Sequence, residues 1–245
     1  MHRLLSTLSI LLLFFSNGNA SVLSERATVN GQCTGANKAP GVCIATNACT
    51  SAGGTYISNA CPGTPNDIKC CTKSACGLNG NLKGANCRWA SQCSGTAFSG
   101  LCPGPANFKC CVPKGATPSI PPIGTCRKVA VEGAKKIVVA FPGKILEVGC
   151  YRDGPCPNDK DEDHWCGMAT DFMVSAYGVR TEAGRPIAEW IVANRGKLNL
   201  KYVIWGQRIW NPSRDAVKPW AQWRVMDDGG SVTQNHWDHV HVSYS

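Results

Sequence analysis

Sixteen cysteines constrain this 245-residue chain more than any other feature of its sequence. Twelve of them lie in two consecutive blocks of six, and each block ends on an adjacent Cys-Cys pair. The blocks contain Cys33, Cys43, Cys49, Cys61, Cys70 and Cys71, and then Cys76, Cys87, Cys93, Cys102, Cys110 and Cys111. An even, dense set of cysteines is typical of proteins that fold in an oxidising compartment. We therefore expect disulfides rather than thiolate metal ligands or redox centres.

The two blocks resemble each other as an internal repeat of about 40 residues. CPGTPNDIKCC in the first block matches CPGPANFKCC in the second, and GVCIATNAC matches GANCRWASQC. We expect one small module over residues 31–73 and another over residues 74–112, both built of loops and short strands. Units of this size bury too little apolar surface to fold unaided, so disulfides must constrain them. They are either spacers or binding modules that hold the rest of the chain near an insoluble substrate.

The N-terminal residues 1–20 have the pattern of a secretory signal peptide. A short basic start precedes the apolar run LLSTLSILLLFFS, and Gly18 and Ala20 supply the small residues that a signal peptidase requires. The run is too short for a membrane anchor, and no later stretch reaches spanning length. We expect cleavage after Ala20, release to the extracellular space and no membrane partner.

Charge narrows the range of partners. Loss of Arg3 with the signal peptide lowers the formal net charge from +9 to +8. A moderately basic protein favours acidic surfaces such as anionic cell walls. The lysines and arginines form no run of five or more, so we expect no nucleic-acid partner. We also expect the protein to be a monomer.

Four prolines in residues 113–125 indicate a semi-rigid, extended linker before a single domain over residues 126–245. In that domain RKVAVEGAKKIVVAF and IAEWIVANRGK have helical apolar spacing, whereas ILEVGCY, MATDFMV, KYVIWGQRIW and HVHVSY read as strands or a hairpin. The irregular mixture predicts an α+β fold with an antiparallel sheet and flanking helices. Of the four remaining cysteines, we expect Cys156 and Cys166 to pair, and Cys126 and Cys150 to form the second bridge.

Two histidine-containing segments carry the chemistry. The segment DEDHWCGMATDF contains His164 and Asp171, and the segment NHWDHVHVSYS contains His239 and His241. On a strand, residues two apart point to the same face, so the last two imidazoles should face one site. Two imidazoles, one carboxylate and an open fourth position are what catalytic zinc requires. The other interpretation of the first segment is a surface acidic loop that runs into a strand.

The stretch from His164 to Asp171 fits H-x-x-G-x-A-x-D in full and is followed by a later His-x-His. With these motifs, residues 126–245 resemble the zinc metallopeptidase superfamily of D-Ala-D-Ala carboxypeptidases, lysostaphin-type endopeptidases and hedgehog domains. The segments YVIWGQRIW and NHWDHVHVSY resemble a little-studied secreted branch of that superfamily in fungi and bacteria. The resemblance does not extend to the cysteine blocks.

The resemblance implies that His164, Asp171 and His241 bind Zn²⁺. It also implies a base or transition-state donor close to the attacking water. His239 is our main candidate for that role, and Asp238 either orients His239 or acts as a base together with it. Arg152, in a Tyr-Arg pair that faces substrate in the superfamily, would hold a peptide carboxylate or a developing oxyanion, or would be a surface arginine. His236 is either a residue behind the candidate ligands or, as we expect, solvated. We expect most tryptophans to pack in the core, with lining of the cleft as the alternative for Trp165 and Trp237.

The leading hypothesis is a secreted zinc-dependent peptidase that hydrolyses peptide bonds of a cell-wall polymer such as peptidoglycan, with the N-terminal modules binding that substrate. The main alternative is a non-catalytic, zinc-containing binding or signalling protein, since hedgehog domains keep the metal site of the superfamily while acting as ligands. A third hypothesis is a cysteine-rich effector whose C-terminal domain is only a scaffold. A fourth protein ligand at the metal would favour the non-catalytic alternative.

Overall fold

A computed structural model describes residues 26–80, 82–156 and 163–245. The expected signal peptide, residues 1–20, lies outside these ranges. Within the described ranges, no helix combines the length and the apolar character needed to cross a membrane.

The strands are β1 (Gln32–Thr34), β2 (Pro40–Ala45), β3 (Thr55–Ile57), β4 (Ile68–Thr72), β5 (Asn86–Trp89), β6 (Thr96–Phe98), β7 (Phe108–Val112), β8 (Glu147–Gly149), β9 (Ala169–Met173), β10 (Leu200–Trp205), β11 (Arg208–Trp210), β12 (Arg224–Val225) and β13 (His239–Tyr244). The α-helices are α1 (Thr46–Ser51), α2 (Lys128–Ala140) and α3 (Arg185–Ala193).

Each cysteine block forms its own small antiparallel sheet. The first sheet has the order β1-β2-β4-β3 and the second has the order β5-β7-β6. The disulfides join the first cysteine of each block to the fifth, the second to the fourth and the third to the sixth. The bonds are Cys33–Cys70, Cys43–Cys61 and Cys49–Cys71, and then Cys76–Cys110, Cys87–Cys102 and Cys93–Cys111. We call these two units module 1 (residues 31–73) and module 2 (residues 74–112).

The two modules pack against each other and against the C-terminal domain. Trp89 of module 2 is buried and donates its indole N–H to the carbonyl of Gly41 in module 1 at 3.1 Å. Leu146 and Met173 of the C-terminal domain belong to the same buried apolar cluster as the core of module 2. Burial of apolar surface between the units stabilises this arrangement.

The C-terminal domain is an α+β unit, as its sequence predicts. Its sheet has the order β12-β11-β10-β13-β9-β8, and each neighbouring pair is antiparallel. The bridges Cys126–Cys150 and Cys156–Cys166 confirm the expected pairing. In the segment 113–125, Ile120 packs against the apolar cluster around Cys126 and Cys150, so this part of the chain lies on the domain.

Helices α2 and α3 cover one face of the sheet. Their apolar residues at helical spacing are buried against the strands: Ala130, Ala134, Ile137 and Val138 from α2, and Ile187, Ala188, Ile191 and Val192 from α3. Val240 and Val242 of β13 belong to this core. Because side chains alternate across a strand, His239 and His241 point to the opposite face. The helix-covered core therefore fixes the strand that presents the histidines.

Candidate metal centre

Three side chains predicted as metal ligands lie together on that face of the sheet. His241 pairs with Asp171 in the antiparallel register of β13 and β9, and their Nδ1 and Oδ1 atoms are 2.9 Å apart. His164 comes from the turn before β9, and its Nε2 lies 3.2 Å from Oδ2 of Asp171 and 3.1 Å from Nδ1 of His241. All three residues are buried. One donor atom from each lies within 4.8 Å of the others, a spacing that can hold a metal ion.

Hydrogen bonds on the outer side of each imidazole orient the donor nitrogens inward. Nδ1 of His164 contacts the carbonyl oxygen of Cys150, and a carbonyl can only accept, so this nitrogen carries the proton. Nε2 of His164 is then the nitrogen with a free lone pair, and it faces Asp171. Nε2 of His241 lies 3.0 Å from the Ser243 hydroxyl, which can accept its proton and leave Nδ1 free. Such outer partners set the tautomer of metal-binding histidines.

Electrostatics favour an ionised Asp171 and a neutral His241. Burial acts to raise the pKa of Asp171, but hydrogen bonds from His164 and His241 and the nearby imidazoles hold it well below its usual range. Burial lowers the pKa of His241, with Asp171 opposing that shift. An ionised carboxylate and neutral imidazoles are the ligand forms that bind metal.

The donor set itself fits zinc. Nε2 of His164 and Nδ1 of His241 are 3.1 Å apart, and each lies within 3.2 Å of a carboxylate oxygen of Asp171. Two nitrogens and one carboxylate oxygen match the ligand types of catalytic zinc sites. The ring of Tyr202 stacks on His241, with centroids 5.5 Å apart, and limits the rotation of that ligand.

His239 and Asp238 form a pair beside the cluster. Oδ1 of Asp238 lies 2.6 Å from Nδ1 of His239. Oδ2 accepts from Thr233 Oγ1 at 2.5 Å and from the Gly178 N–H at 2.7 Å. Burial acts to raise the pKa of Asp238, but these hydrogen bonds lower it, so Asp238 is an ionised acceptor and Nδ1 of His239 carries the proton. Both oxygens of Asp238 are engaged, and its geometry is that of an orienting partner.

The free nitrogen of His239 faces the cluster. Its Nε2 lies 3.6 Å from Oδ1 of Asp171, and its ring is buried on the same face of β13 as His241. His239 is not a member of the three-donor group that could hold a metal. Among the described residues, therefore, neither His239 nor Asp238 is placed as a fourth ligand.

Arg152 contacts the cluster through Asp171. Its Nη2 donates to Oδ2 of Asp171 at 2.8 Å, and 60% of its side chain is exposed. The arginine therefore lies at the mouth of the site with one face toward solvent. The sequence predicted that Arg152 faces the site but not that its guanidinium binds Asp171. The role of Arg152 toward substrate stays a prediction.

His236 is half-buried and lies beside the site, rather than being fully solvated as expected. Its ring centroid lies 4.7 Å from that of His239 and 5.6 Å from that of His241, and its Nδ1 is buried without a hydrogen-bond partner in the described part of the chain. Burial first, and then the two neighbouring imidazoles, lower its pKa to about 3. A φ of 55° at His236 turns the chain back toward the sheet, a local geometry that the sequence does not reveal.

The two tryptophans beside the motifs lie outside the site. Trp237 packs against the core and its ring meets Trp205 and Trp220 edge to face. Trp165 lines a separate cavity next to Tyr151 and α2. Neither belongs to the wall of the cleft beside the candidate ligands.

A cleft of about 270 Å³ opens beside the three candidate ligands. Its wall includes Arg152, His164, Asp171 and His239, and also three residues that sequence reasoning missed: Glu147, Tyr177 and Thr233. These three come from distant parts of the chain and form no motif with the histidines. No signal in the sequence could have placed them at the site.

Comparisons with known proteins agree with the secreted character of the molecule. A family model described as "VldE, C-terminal domain" matches residues 123–237. That match includes His164 and Asp171 and ends before His239. The chain is also 53% identical over 235 residues to an "Uncharacterized secreted protein" of Arthroderma benhamiae, which covers 87% of this chain and 93% of the relative. No solved structure matches the chain.

Fold and cysteine framework define a secreted α+β protein stabilised by disulfides. At this identity and coverage, the chain belongs to the same family as the secreted protein of Arthroderma benhamiae. The extracellular location expected from the sequence is therefore confirmed.

Proposed function

We propose that this secreted protein is a zinc-dependent peptidase that hydrolyses peptide bonds of a cell-wall polymer such as peptidoglycan. The observation that carries the proposal is the convergence of His164, Asp171 and His241 beside an open cleft. The motif H-x-x-G-x-A-x-D and the later His-x-His, which resemble the zinc metallopeptidase superfamily, support the same conclusion.

A zinc ion held by these three residues would supply a Lewis acid that polarises a carbonyl and makes water more acidic. His239 would act as the general base, because its Nδ1–H is fixed by Asp238 and its Nε2 lone pair faces the cluster. Nε2 would accept a proton from the attacking water and return it to the leaving amine nitrogen as the C–N bond breaks. Asp238 would hold the tautomer and stabilise the imidazolium.

Arg152 would bind the negatively charged part of the substrate. Its guanidinium keeps donors beyond the one that binds Asp171, and its exposed face lines the cleft. A guanidinium in this position can stabilise a developing oxyanion or hold a peptide carboxylate.

The choice of a cell-wall peptide rests on secretion, charge and the modules. The chain is basic, with a formal net charge of +9, and acidic polymers attract such proteins. Both modules pack near the catalytic domain, so a polymer bound to them would lie close to the cleft.

The decisive experiment uses the purified mature protein. We expect about one zinc per chain by elemental analysis and release of amines from peptidoglycan or from D-amino-acid dipeptides. His241→Ala should abolish zinc binding and hydrolysis together. Asp227→Asn, an exposed carboxylate change in the same domain, should leave both unchanged. A wild-type protein that holds zinc and cleaves none of these substrates would refute the substrate assignment.

One observation favours the non-catalytic alternative, a zinc-containing extracellular binding protein. Nη2 of Arg152 is hydrogen-bonded to the candidate ligand Asp171. If this ion pair persists with zinc bound, Nη2 is not available to a substrate. Retention of zinc together with full thermal stability and no turnover would support this alternative.

A further inference from the structure

Module 2 contacts the strand that forms one wall of the cleft. Nδ2 of Asn79 donates to Oε1 of Glu147 at 2.9 Å. Glu147 pairs in register with Met173, and Met173 is buried in the apolar cluster of module 2. This wall is therefore held by a hydrogen bond from module 2 and by apolar contacts in a cluster to which module 2 contributes most residues.

Module 2 also contacts the loop that carries Tyr177. A Cβ atom at Gly100 would lie 2.7 Å from Cγ2 of Val179 and 3.0 Å from Cβ of Ala176, so the loop is in direct contact with the glycine. The same loop supplies the Gly178 N–H that binds Asp238. Module 2 therefore contacts the cleft wall at two places, at Glu147 and at the loop that carries Tyr177.

Glu147 and Tyr177 are polar wall residues that the hydrolytic mechanism does not use. Oε2 of Glu147 is buried, it meets no partner at hydrogen-bonding geometry among the described residues, and the phenol of Tyr177 lies beside this carboxylate. The ring of Tyr177 is 58% exposed. Burial, the negative charges of Glu147 and Asp171 and a hydrogen bond with Glu147 raise the pKa of Tyr177, so its phenol donates to that carboxylate and its oxygen can still accept.

We propose that module 2 completes the substrate-binding cleft: Asn79 and Gly100 fix Glu147 and Tyr177, and these two side chains recognise a primary ammonium group of the peptide substrate. The negative charge of Glu147 attracts the cation, and the phenol oxygen of Tyr177 accepts one of its N–H groups. This inference rests on the proposed peptidase function and deepens it, because it selects peptides with an unacylated amine. In this proposal module 2 positions residues of the cleft. It does not serve only to hold the C-terminal domain near the substrate.

Calorimetry can test this selection without turnover. The probe is the ketomethylene analogue of D-Ala-D-Ala, which has no cleavable amide, with its amine either free or acetylated. The zinc-loaded full-length protein should bind the free amine about tenfold more tightly, as expected for a charge-assisted contact. Glu147→Gln should remove this preference, and Tyr177→Phe should reduce it.

Matched variants test the role of module 2. Asn79→Ala should lower the preference for the free amine about three- to tenfold, whereas Asn107→Ala, an exposed asparagine of the same module, should not. Gly100→Ala should lower it as well. Gly115→Ala shares a positive φ of 80°, against 81° at Gly100, but meets nothing within 4 Å, so it controls for backbone strain.

The kinetic signature separates positioning from collapse of the site. With a free-amine dipeptide, Asn79→Ala and Gly100→Ala should raise KM while kcat stays within about twofold of wild type, because the lost contact acts on binding. Equal wild-type affinity for the two analogues, or module 2 variants that match their controls, would overturn the inference. Absence of wild-type turnover would instead count against the peptidase function, and the calorimetry reports on the ammonium site separately.

Discussion

Nδ1 of His241 lies 2.9 Å from Oδ1 of Asp171, and the two residues face each other as a register pair of strands β13 and β9. A slip of one residue between these strands would turn His241 toward the helices and Val240 or Val242 toward the cleft. The apolar core between the sheet and α2 and α3 excludes that slip, because it would place a histidine in the apolar core and remove a valine from it. Fold stability and site geometry thus depend on the same register.

Asp171→Asn should weaken zinc binding by more than about tenfold, because it removes the anionic ligand and loosens both imidazoles. Competition with a chromophoric chelator measures the affinity. Asp227→Asn serves as the exposed control in the same domain. Unchanged affinity in Asp171→Asn would show that the metal, if bound, lies elsewhere.

His239→Ala should lower kcat about 100- to 10,000-fold while zinc content stays at the wild-type level, since this residue acts on the proton and not on the metal. Asp238→Asn should give a smaller loss in kcat, because the orientation of His239 weakens. Steady-state kinetics together with elemental analysis checks both variants, and a melting curve monitors the fold around the buried Asp238. Parallel loss of zinc in His239→Ala would make this histidine a ligand.

Gly133→Ala should destabilise the C-terminal domain. Alanine usually stabilises a helix interior by about 1 kcal/mol relative to glycine. Here a Cβ would lie 2.2 Å from Cε1 of the buried Tyr244. Overpacking of about 1–3 kcal/mol should therefore make the change in the free energy of unfolding destabilising. Gly196→Ala, where nothing lies within 4 Å of the added atom, is the control. Denaturant unfolding that finds Gly133→Ala as stable as wild type would refute this packing.

Tyr244 should make the protein sensitive to alkali. Burial raises the pKa of Tyr244 far above its ordinary value, while its hydrogen bond with Thr170 acts weakly in the opposite direction. The folded state therefore holds this proton more tightly than the unfolded state. Its contribution to the free energy of unfolding is fully present below about pH 10 and is lost as the pH rises above that value. Urea unfolding across pH 8–11 should show a steeper loss for wild type than for Tyr244→Phe.

The exposed Tyr56, in module 1, provides the control for that measurement. Tyr56→Phe should follow the wild-type curve, because the Tyr56 side chain is exposed in the folded state and its removal leaves the core unchanged. Wild type and Tyr244→Phe curves with the same slope would show that the buried phenol does not govern alkaline unfolding.

Much of the C-terminal domain could be predicted from short-range patterns. The apolar spacing before Pro142-Gly143 predicts α2, and HVHVSY predicts β13, because helix and strand periodicities are local properties of the chain. The same alternation places His239 and His241 on one face. Local spacing likewise indicated the Cys156–Cys166 bridge.

The position of His236 could not be predicted in this way. A histidine three residues before a strand has no local signal that distinguishes solvent from a packed site. The backbone turn at its φ of 55° and the rings of His239 and His241 decide its burial. The role of Asp238 could not be predicted from local sequence either, because it depends on hydrogen bonds from Thr233 and Gly178.

By itself, the sequence determined the disulfide-rich secreted character, the α+β class of the last domain and the candidate ligands His164, Asp171 and His241. Only the tertiary structure decided which nitrogen of each histidine faces the site, that Asp238 orients His239, and that module 2 touches Glu147 and the Tyr177 loop. The physical reason is distance along the chain. Periodicity and motif spacing act over a few residues, whereas hydrogen bonds and packing between segments far apart depend on how the sheet and the modules come together.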